Sequence, residues 1–270
     1  MFSKICEEQS GFRSGYCTID NAFILHGIIQ KALSKKRHSC YCLFVDFKKA
    51  FDLIDRNLLF KRLSVIGVKG KLFNSLLAMY SNFEMCVSNG DSVSGYFKSN
   101  KGVRQGCILS PIIFSLYINK LAEMINENNE GIQLMPHQTI ISILLYADDV
   151  VLISQSIGGL QKQIRTLERF CDISGMKMNL SKTKVMLFKN GGELSKTEKW
   201  SFKGRKLECV PNYKYLGLLL SSRNKFSKAI DNLALQARRT SSFVNASLRK
   251  IGNVPFSVYA KVFDSEIFPT

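Results

Sequence analysis

Two apolar stretches of this sequence carry aspartates where strands would end. Tyr41 to Phe47 is dominated by aromatic and aliphatic residues and includes Asp46. The stretch from Ile140 to Ile153 predicts a hairpin of two strands with Asp148 and Asp149 at its tip. A carboxylate beside so many apolar residues is costly unless it is solvated, paired or bound to a metal. If the two strand systems are neighbours in one sheet, the three carboxylates converge on one spot.

Each aspartate also has a plainer interpretation. Asp46 precedes an apolar pattern of helical period, so its carboxylate could cap that helix. Asp148 and Asp149 could form an ordinary turn. The order of the segments, a strand with Asp46, a basic helix, a polar glycine-bearing loop and then the Asp-Asp hairpin, is hard to reconcile with both interpretations together. Two-metal nucleotidyl transfer needs hard oxygen ligands around two divalent cations, and these carboxylates are the best-placed candidates.

The remaining pattern predicts a mixed α+β fold. An antiparallel sheet with helices packed on one face is expected, followed by a mainly helical, basic segment, with the domain boundary at Ser221. A helical pattern is expected to follow Asp46 at once, beginning at Phe51, and a β-hairpin is expected around Asn89-Gly90. The predicted helices cover residues 21–33, 51–66, 70–80, 110–124 and 157–170, and the predicted strands cover 41–47, 140–145, 150–153 and 184–188.

The chain is strongly basic. Its 38 Lys and Arg residues outweigh 21 Asp and Glu residues, for a formal net charge of +17. Residues 189–250 contain 14 basic and 4 acidic side chains, so more than half of the surplus lies there. A polyanion along this surface would offset the repulsion, which favours nucleic acid as the partner. Solvated lysines on ordinary helices are the alternative.

The composition argues against several other classes. The eight cysteines are scattered, without a Cys-x-x-Cys or a Cys/His pair, so no zinc site is expected. Cys40 and Cys42 lie in a predicted buried strand, which suits small core residues in a reducing, intracellular compartment such as the cytoplasm or nucleus. The most apolar window, Thr139 to Ser154, is split by two aspartates that would be costly in lipid, so no membrane span is expected. No feature predicts the oligomeric state.

Five segments resemble, in order and spacing, the palm motifs of reverse transcriptases. A sixth, QSGFRSGYCTID at 9–20, resembles the segment before the palm in LINE-type, non-LTR retrotransposon enzymes. The resemblance covers nearly the whole chain and implies a right-hand polymerase, with a palm and partial fingers at residues 1–221 and the start of a helical, basic thumb at 222–270. The chain is therefore expected to be a fragment that lacks the first fingers strands and the end of the thumb. The five palm-like segments are FVDFKKAFD (44–52), KGVRQGCILSP (101–111), YADD (146–149), GMKMNLSKTK (175–184) and YKYLG (213–217).

The resemblance implies an RNA-directed DNA polymerase that uses two Mg²⁺ ions, with Mn²⁺ as an alternative, and takes an RNA template, a DNA primer and dNTPs. It implies that Asp46 and Asp148 are catalytic metal ligands, with the backbone carbonyl of Val45 as a further contact. Asp149 is expected to contribute catalytic charge near the primer end. An RNA-templated RNA polymerase and an intron maturase are alternatives with the same fold. A non-catalytic nucleic-acid-binding remnant is the alternative of a different class.

The resemblance also implies a set of groups around the incoming nucleotide. Phe51 is expected under the sugar, where its bulk would exclude a 2′-hydroxyl, with packing in the core as the alternative. Lys182 is expected near the triphosphate, where a cation could offset or protonate the departing pyrophosphate, and Lys184 is the alternative for that role. Arg13 is a further candidate for nucleotide binding.

Other residues are implied to contact the template and primer. Gln105 is expected at the nascent base pair or template, and Gly106 permits a close backbone approach there. Capping of the following helix is the alternative for Gln105. Tyr213, Tyr215 and Gly217 are implied to form the turn that positions the primer strand, and a place in a small-sheet core remains open for the two tyrosines.

Overall fold

The structure is a computed structural model. It describes residues 4–34, 38–81, 83–134, 139–190, 198–223, 227–252, 254–262 and 265. The chain divides into two compact units, Met1–Val210 and Pro211–Thr270.

The first unit contains five helices and thirteen strands among its described residues. Its helices are α1 Thr18–Leu33, α2 Arg56–Val65, α3 Gly70–Ser81, α4 Ser110–Asn126 and α5 Ile157–Ser174. Its strands are β1 Ser39–Val45, β2 Glu84–Met85, β3 Ser88–Asn89, β4 Ser92–Val93, β5 Phe97–Lys98, β6 Ile132–Leu134, β7 Thr139–Ile141, β8 Ile143–Tyr146, β9 Asp149–Ser154, β10 Lys184–Lys189, β11 Ser201–Phe202, β12 Arg205–Lys206 and β13 Glu208–Cys209.

A five-stranded sheet, in the order β13-β10-β1-β9-β8, forms the centre of this unit. Strand β1 pairs antiparallel with β10 on one side and with β9 on the other, and β8 and β9 form the predicted hairpin. The expected mixed α+β fold is confirmed, and so is the adjacency of the two aspartate-bearing strand systems. The sheet is not purely antiparallel, because the short strand β13 joins the edge of β10 in parallel.

Helices cover both faces of this sheet, so the expectation of helices on one face was wrong. Leu43 and Val45 point into the main core, which also contains apolar residues of α4 and α5. Cys40, Cys42 and Phe44 point the other way and are just as buried, and α1 packs against β1, β8 and β10 there. The physical reason was visible in the sequence, since an uninterrupted apolar run is typical of a strand buried on both faces.

The sequence predicts a helix directly after Asp46, but the structure has no helix there. Residues 48–53 form turns with Lys49 at φ 47°, and α2 begins only at Arg56, where the Asp55 side chain caps it by accepting from the Leu58 N–H. The carbonyls of Phe51 and Ile54 accept hydrogen bonds from the loop at residues 102–103 instead of from the next helical turn. Long-range bonds therefore override the local helical period.

The second unit contains the hairpin of β14 (Asn212–Tyr215) and β15 (Leu218–Ser221), followed by helices α6 (Ser227–Ile251) and α7 (Phe256–Val262). Helix α6 packs against β15, so the hairpin and the helix form one compact unit. The division between the two compact units falls after Val210. The domain boundary expected at Ser221 stays a prediction. Among the described residues of both units, no helix combines the length and the apolar character that crossing a membrane requires.

Candidate active site

Asp46 stands at the end of β1, and both of its backbone polar groups are fixed. Its N–H donates to the Thr183 hydroxyl oxygen at 3.2 Å, and its carbonyl accepts from the Asn179 N–H at 2.8 Å. Thr183 is fully buried. The turn before β10 thus holds the backbone of Asp46 while its side chain stays half-buried.

The Asp-Asp pair lies at the tip of the β8–β9 hairpin. Tyr146 and Asp149 form the last residue pair of this hairpin, and Ala147 adopts a left-handed φ of 56°. The antiparallel register pairs Val45 with Val150, so the next step along the strands sets Asp46 opposite Asp149. The register of the sheet therefore brings the three aspartates together, as expected from the sequence.

The carboxylates interact electrostatically. Burial raises the pKa of Asp148 above its usual value, and the negative charge of Asp46 raises it further. Burial likewise raises the pKa of Asp149 to about 6, with added repulsion from Asp148 and Asp46. Asp149 is nevertheless the most solvent-exposed of the three. A cluster in which each negative charge opposes the next is stabilised by a cation.

The donor set suits Mg²⁺ bound together with a substrate. Mg²⁺ commonly takes one or two carboxylates from the protein and completes its shell with water and substrate phosphates. Asp46 and Asp148 are the residues that would supply such oxygens. In the described part of the chain, no three Asp, Glu, His or Cys side chains are arranged as a complete metal-binding group.

The glycine-bearing loop lies against the turn that follows Asp46. Gly102 donates to the Ile54 carbonyl at 2.8 Å, and Val103 donates to the Phe51 carbonyl at 2.9 Å. A Cβ on Gly102 would lie 2.7 Å from the Asp52 carbonyl oxygen, and the φ of Gly102 is +80°. Only glycine fits this approach without strain.

The two candidates from that loop lie on its exposed side. The Gln105 amide donates to the Asp52 carboxylate at 2.8 Å. Helix α4 has Leu109 at its N-cap and no side-chain cap, so Gln105 does not cap the helix in this structure. Gly106 has a φ of +81°, and a Cβ there would meet open space.

Phe51 is half-buried and stacks on Phe114, with ring centroids 4.4 Å apart and the ring planes 23° apart. It therefore packs against the core on one side while part of its surface remains accessible. Both interpretations of Phe51, core packing and contact with a sugar, remain compatible with this position.

The two candidate lysines differ in their surroundings. Lys184 is half-buried and pairs with Glu208. Lys182 is exposed, and no ion pair forms with it among the described residues. The Arg13 guanidinium donates to the carbonyls of Cys6 and Gln9 and lies 4.6 Å from the Tyr16 ring centroid.

The candidate primer-contacting residues belong to the second unit. Tyr215 is buried and Tyr213 is half-buried, and they pair with Leu218 and Leu220 across the β14–β15 hairpin. Gly217 has a φ of +89° and forms the turn of that hairpin. Burial of Tyr215 agrees with the small-sheet interpretation for that residue.

Gln9 and Gly11 contact the tip of the Asp-Asp hairpin, a role that the sequence did not predict for them. The Gln9 side chain forms hydrogen bonds with both backbone groups of Ala147. A Cβ on Gly11 would collide with the Ala147 backbone nitrogen. Residues 1–20 show no regular apolar period, so nothing local in the sequence indicated these contacts.

Known structures share this fold. A solved structure of telomerase from Candida tropicalis with a fragment of telomeric RNA aligns over 82% of this chain and 34% of its own, with a TM-score of 0.55 at 16% identity. At that identity the similarity concerns the fold alone.

A family model described as reverse transcriptase (RNA-dependent DNA polymerase) matches residues 1–220. The chain belongs to this family, and the resemblance drawn from the motifs is confirmed. An uncharacterized 149 kDa protein of transposon TX1 from Xenopus laevis is 28% identical over 67% of this chain and 14% of its own length. The RNA-directed DNA polymerase from mobile element jockey of Drosophila melanogaster is 26% identical over 86% of this chain and 25% of its own. The chain thus spans a quarter or less of these two relatives.

Proposed function

We propose that this chain is the polymerase core of a non-LTR retrotransposon protein and catalyses RNA-templated DNA synthesis. The observation that carries the proposal is the register of the central sheet, which brings Asp46 beside the Asp148-Asp149 tip. The family membership and the similarity to retrotransposon polymerases support it. In this proposal residues 1–221 contain the palm and part of the fingers, and residues 222–270, with α6, begin the thumb.

Asp46 and Asp148 would hold two Mg²⁺ ions, or Mn²⁺ in their place, with the Val45 carbonyl as a further contact. When bound, the ions would activate the primer 3′-hydroxyl and neutralise charge on the departing pyrophosphate. Asp149, on the exposed side of the tip, would contribute negative charge near the primer end.

The surrounding residues would select and orient the nucleotide. Phe51 would lie under the sugar and exclude a 2′-hydroxyl, which its accessible surface allows. Lys182 would face the triphosphate, and its exposure favours it over Lys184, which pairs with Glu208. Arg13 would support nucleotide binding through the segment that it holds in place.

The template and primer would occupy the basic surfaces. Gln105 and Gly106 would contact the template or the nascent base pair from the exposed side of their loop. The hairpin with Tyr213 and Gly217 would position the primer, with Tyr215 supporting it from the core. The proposed DNA synthesis would take place inside the cell, in the cytoplasm or nucleus, where RNA templates and DNA ends are present.

Primer extension on an RNA template tests this function. The 270-residue chain and a longer version of the same protein would be compared with Mg²⁺ and dNTPs, each alongside its Asp148→Ala variant. Asp172→Ala is the matched control, because Asp172 is an exposed aspartate on α5 that pairs with Lys203. We expect extension that Asp148→Ala abolishes and Asp172→Ala preserves.

Two experimental outcomes would contradict the proposal and support a different function. If neither unmutated form extends a primer while both still bind primer–template, the chain is a nucleic-acid-binding protein without catalysis. If ribonucleotides are incorporated as readily as deoxynucleotides, the chain is an RNA-templated RNA polymerase.

A further inference from the structure

Gln9 is a fully buried polar side chain with a specific set of partners. Its Oε1 accepts from the Ala147 N–H at 2.9 Å and from the Gly11 N–H at 2.8 Å. Its Nε2 donates to the Ala147 carbonyl at 3.2 Å. The amide therefore engages both backbone groups of one residue, as a neighbouring strand would.

Ala147 needs such a partner. It lies beyond the last pair of the β8–β9 hairpin, Tyr146 with Asp149, and its φ of 56° is unfavourable for a residue with a Cβ. No ladder hydrogen bond of the hairpin fixes its peptide groups. The direction in which the chain continues into Asp148 therefore depends on contacts from outside the hairpin.

The segment around Gln9 supplies these contacts as a unit. The Leu145 N–H donates to the Glu8 carbonyl at 2.9 Å, and the Ser10 N–H donates to the Leu145 carbonyl at 3.0 Å. Gly11 follows so closely that a Cβ there would collide with the Ala147 nitrogen. Residues 8–11 thus run along the end of β8 and finish at the tip.

We propose that Gln9 is a positioning residue for catalysis. By holding Ala147 in its left-handed conformation, it fixes the direction of Asp148 relative to Asp46. Gln9 acts only through the backbone of the tip and is not assigned a contact with substrate. The role in catalysis rests on the proposed function, whereas the effect on the tip itself does not.

A second buried glutamine, Gln163 on α5, contacts the same hairpin and serves as a matched control. Gln163 is also fully buried, and its Nε2 donates to the Ile153 carbonyl at 2.9 Å and to the Glu130 carbonyl. These contacts lie at the other end of the hairpin, away from the aspartates. Methionine is similar in shape to glutamine but has no amide, so Gln9→Met and Gln163→Met each remove one buried amide. A general loss of stability should therefore affect both variants.

The first test follows the tip in the 270-residue chain without substrate. Amide hydrogen exchange of residues 145–149 would be compared in the wild type and the two variants. We expect Gln9→Met to accelerate exchange at Ala147 and Gln163→Met to leave that amide protected. Mn²⁺ affinity, measured by calorimetry, should fall about tenfold in Gln9→Met, the usual scale for losing an outer-sphere support, and stay unchanged in Gln163→Met. Equal exchange at Ala147 in both variants overturns the proposal.

The second test separates positioning from binding in primer extension. We expect Gln9→Met to lower kcat by about tenfold to a hundredfold while the KM for dNTP and the affinity for primer–template remain unchanged. Gln163→Met should preserve kcat. A KM change with unaltered kcat, or equal kcat loss in both variants, contradicts positioning. An inactive wild type would refute the proposed function, and the exchange data would still decide the effect on the tip.

If Gln9→Met does not fold, a second variant tests the same proposal. Gly11→Ala keeps the Gln9 side chain, but its Cβ would press on the Ala147 nitrogen and on the Gln9 Oε1 and so disturb their contact. Its control is Gly27→Ala in α1, where a Cβ would meet no atom within 4 Å. We expect only Gly11→Ala to accelerate exchange at Ala147 and to lower kcat; if the two glycine variants behave alike, the proposal is wrong.

Discussion

The side-chain amide of Gln105 donates a hydrogen bond to the carboxylate of Asp52 across 2.8 Å. Asp52 lies in the turn that follows Asp46, and Gln105 lies in the glycine-bearing loop, so the bond joins two of the palm-like segments from their exposed sides. The backbone bond from Val103 to Phe51 fixes the same two segments from within. Gln105 therefore has a defined orientation before any nucleic acid arrives.

Asp52→Ala should release Gln105 and leave the fold intact. Because the bond is exposed, we expect the free energy of unfolding to change by less than about 0.5 kcal/mol. The KM for dNTP should rise about threefold to tenfold, since Gln105 must then be ordered by the substrate. Steady-state primer extension measures this, with Asp91→Ala in the exposed turn of the β3–β4 hairpin as the control. An unchanged KM would show that the orientation of Gln105 does not matter.

Phe51→Val should relax the discrimination between deoxyribonucleotides and ribonucleotides. The smaller side chain opens space for a 2′-hydroxyl, and loss of the stack on Phe114 should cost about 1–3 kcal/mol of stability. Competition between dNTP and NTP in primer extension gives the ratio of kcat/KM values, which we expect to shift by at least about tenfold. Phe60→Val is the control, because Phe60 is another half-buried ring, packed on Phe73 and Tyr80. Unchanged rejection of ribonucleotides in Phe51→Val would assign Phe51 to core packing.

The strands that carry the aspartates were predictable because their apolar runs are strong local signals. Asp46 and the Asp148-Asp149 tip could therefore be located from sequence, and their convergence needed only adjacency in one sheet. The helix expected from Phe51 failed because long-range bonds from residues 102–103 take its carbonyls. The helical spacing of apolar residues is a local pattern, so it gives no information about hydrogen bonds from a distant loop.

The contacts of Gln9 and the packing of the β14–β15 hairpin with α6 were not predictable for the same reason. Gln9 and Ala147 are 138 residues apart, and a glutamine in a polar segment carries no sign of full burial. The β14–β15 hairpin belongs to the second unit because α6 packs on β15, a tertiary contact that the turn-rich sequence before Ser221 does not encode locally.

Asp149→Asn should stabilise the metal-free protein at neutral pH. Burial and the neighbouring aspartates raise the pKa of Asp149 from 3.8 to about 6, so the fold favours its protonated form. The stabilisation that this gives is complete below pH 3.8 and is lost as the pH rises through about 6. Above that pH the charged group opposes folding, by about 1 kcal/mol once solvent screening is considered.

The melting temperature in EDTA at several pH values tests this relation. We expect Asp149→Asn to melt above the wild type at pH 7.5 and together with it near pH 4, and Mg²⁺ should reduce the difference at pH 7.5. Asp91→Asn, at an exposed turn, should show no such dependence. A constant difference at all pH values would mean that the charge of Asp149 is not the cause.

Arg56→Lys should loosen the loop that presents Gln105. The Arg56 guanidinium donates to the carbonyls of Ser99, Lys101 and Gly102 and lies 5.2 Å from the Tyr80 ring centroid. In the described part of the chain no carboxylate pairs with it. Its contribution is therefore the geometry of a planar group with several donors.

A lysine keeps the charge of Arg56 but cannot reach three carbonyls with one fork. We expect a loss of about 2–3 kcal/mol in urea unfolding and faster amide exchange at residues 99–106, because the carbonyls of Ser99, Lys101 and Gly102 lose a shared donor. Arg165→Lys, at an exposed position on α5, is the control and should change neither quantity. If both variants unfold at the same urea concentration as the wild type, charge alone at position 56 is sufficient, and the loop is held by its backbone bonds to residues 51–54.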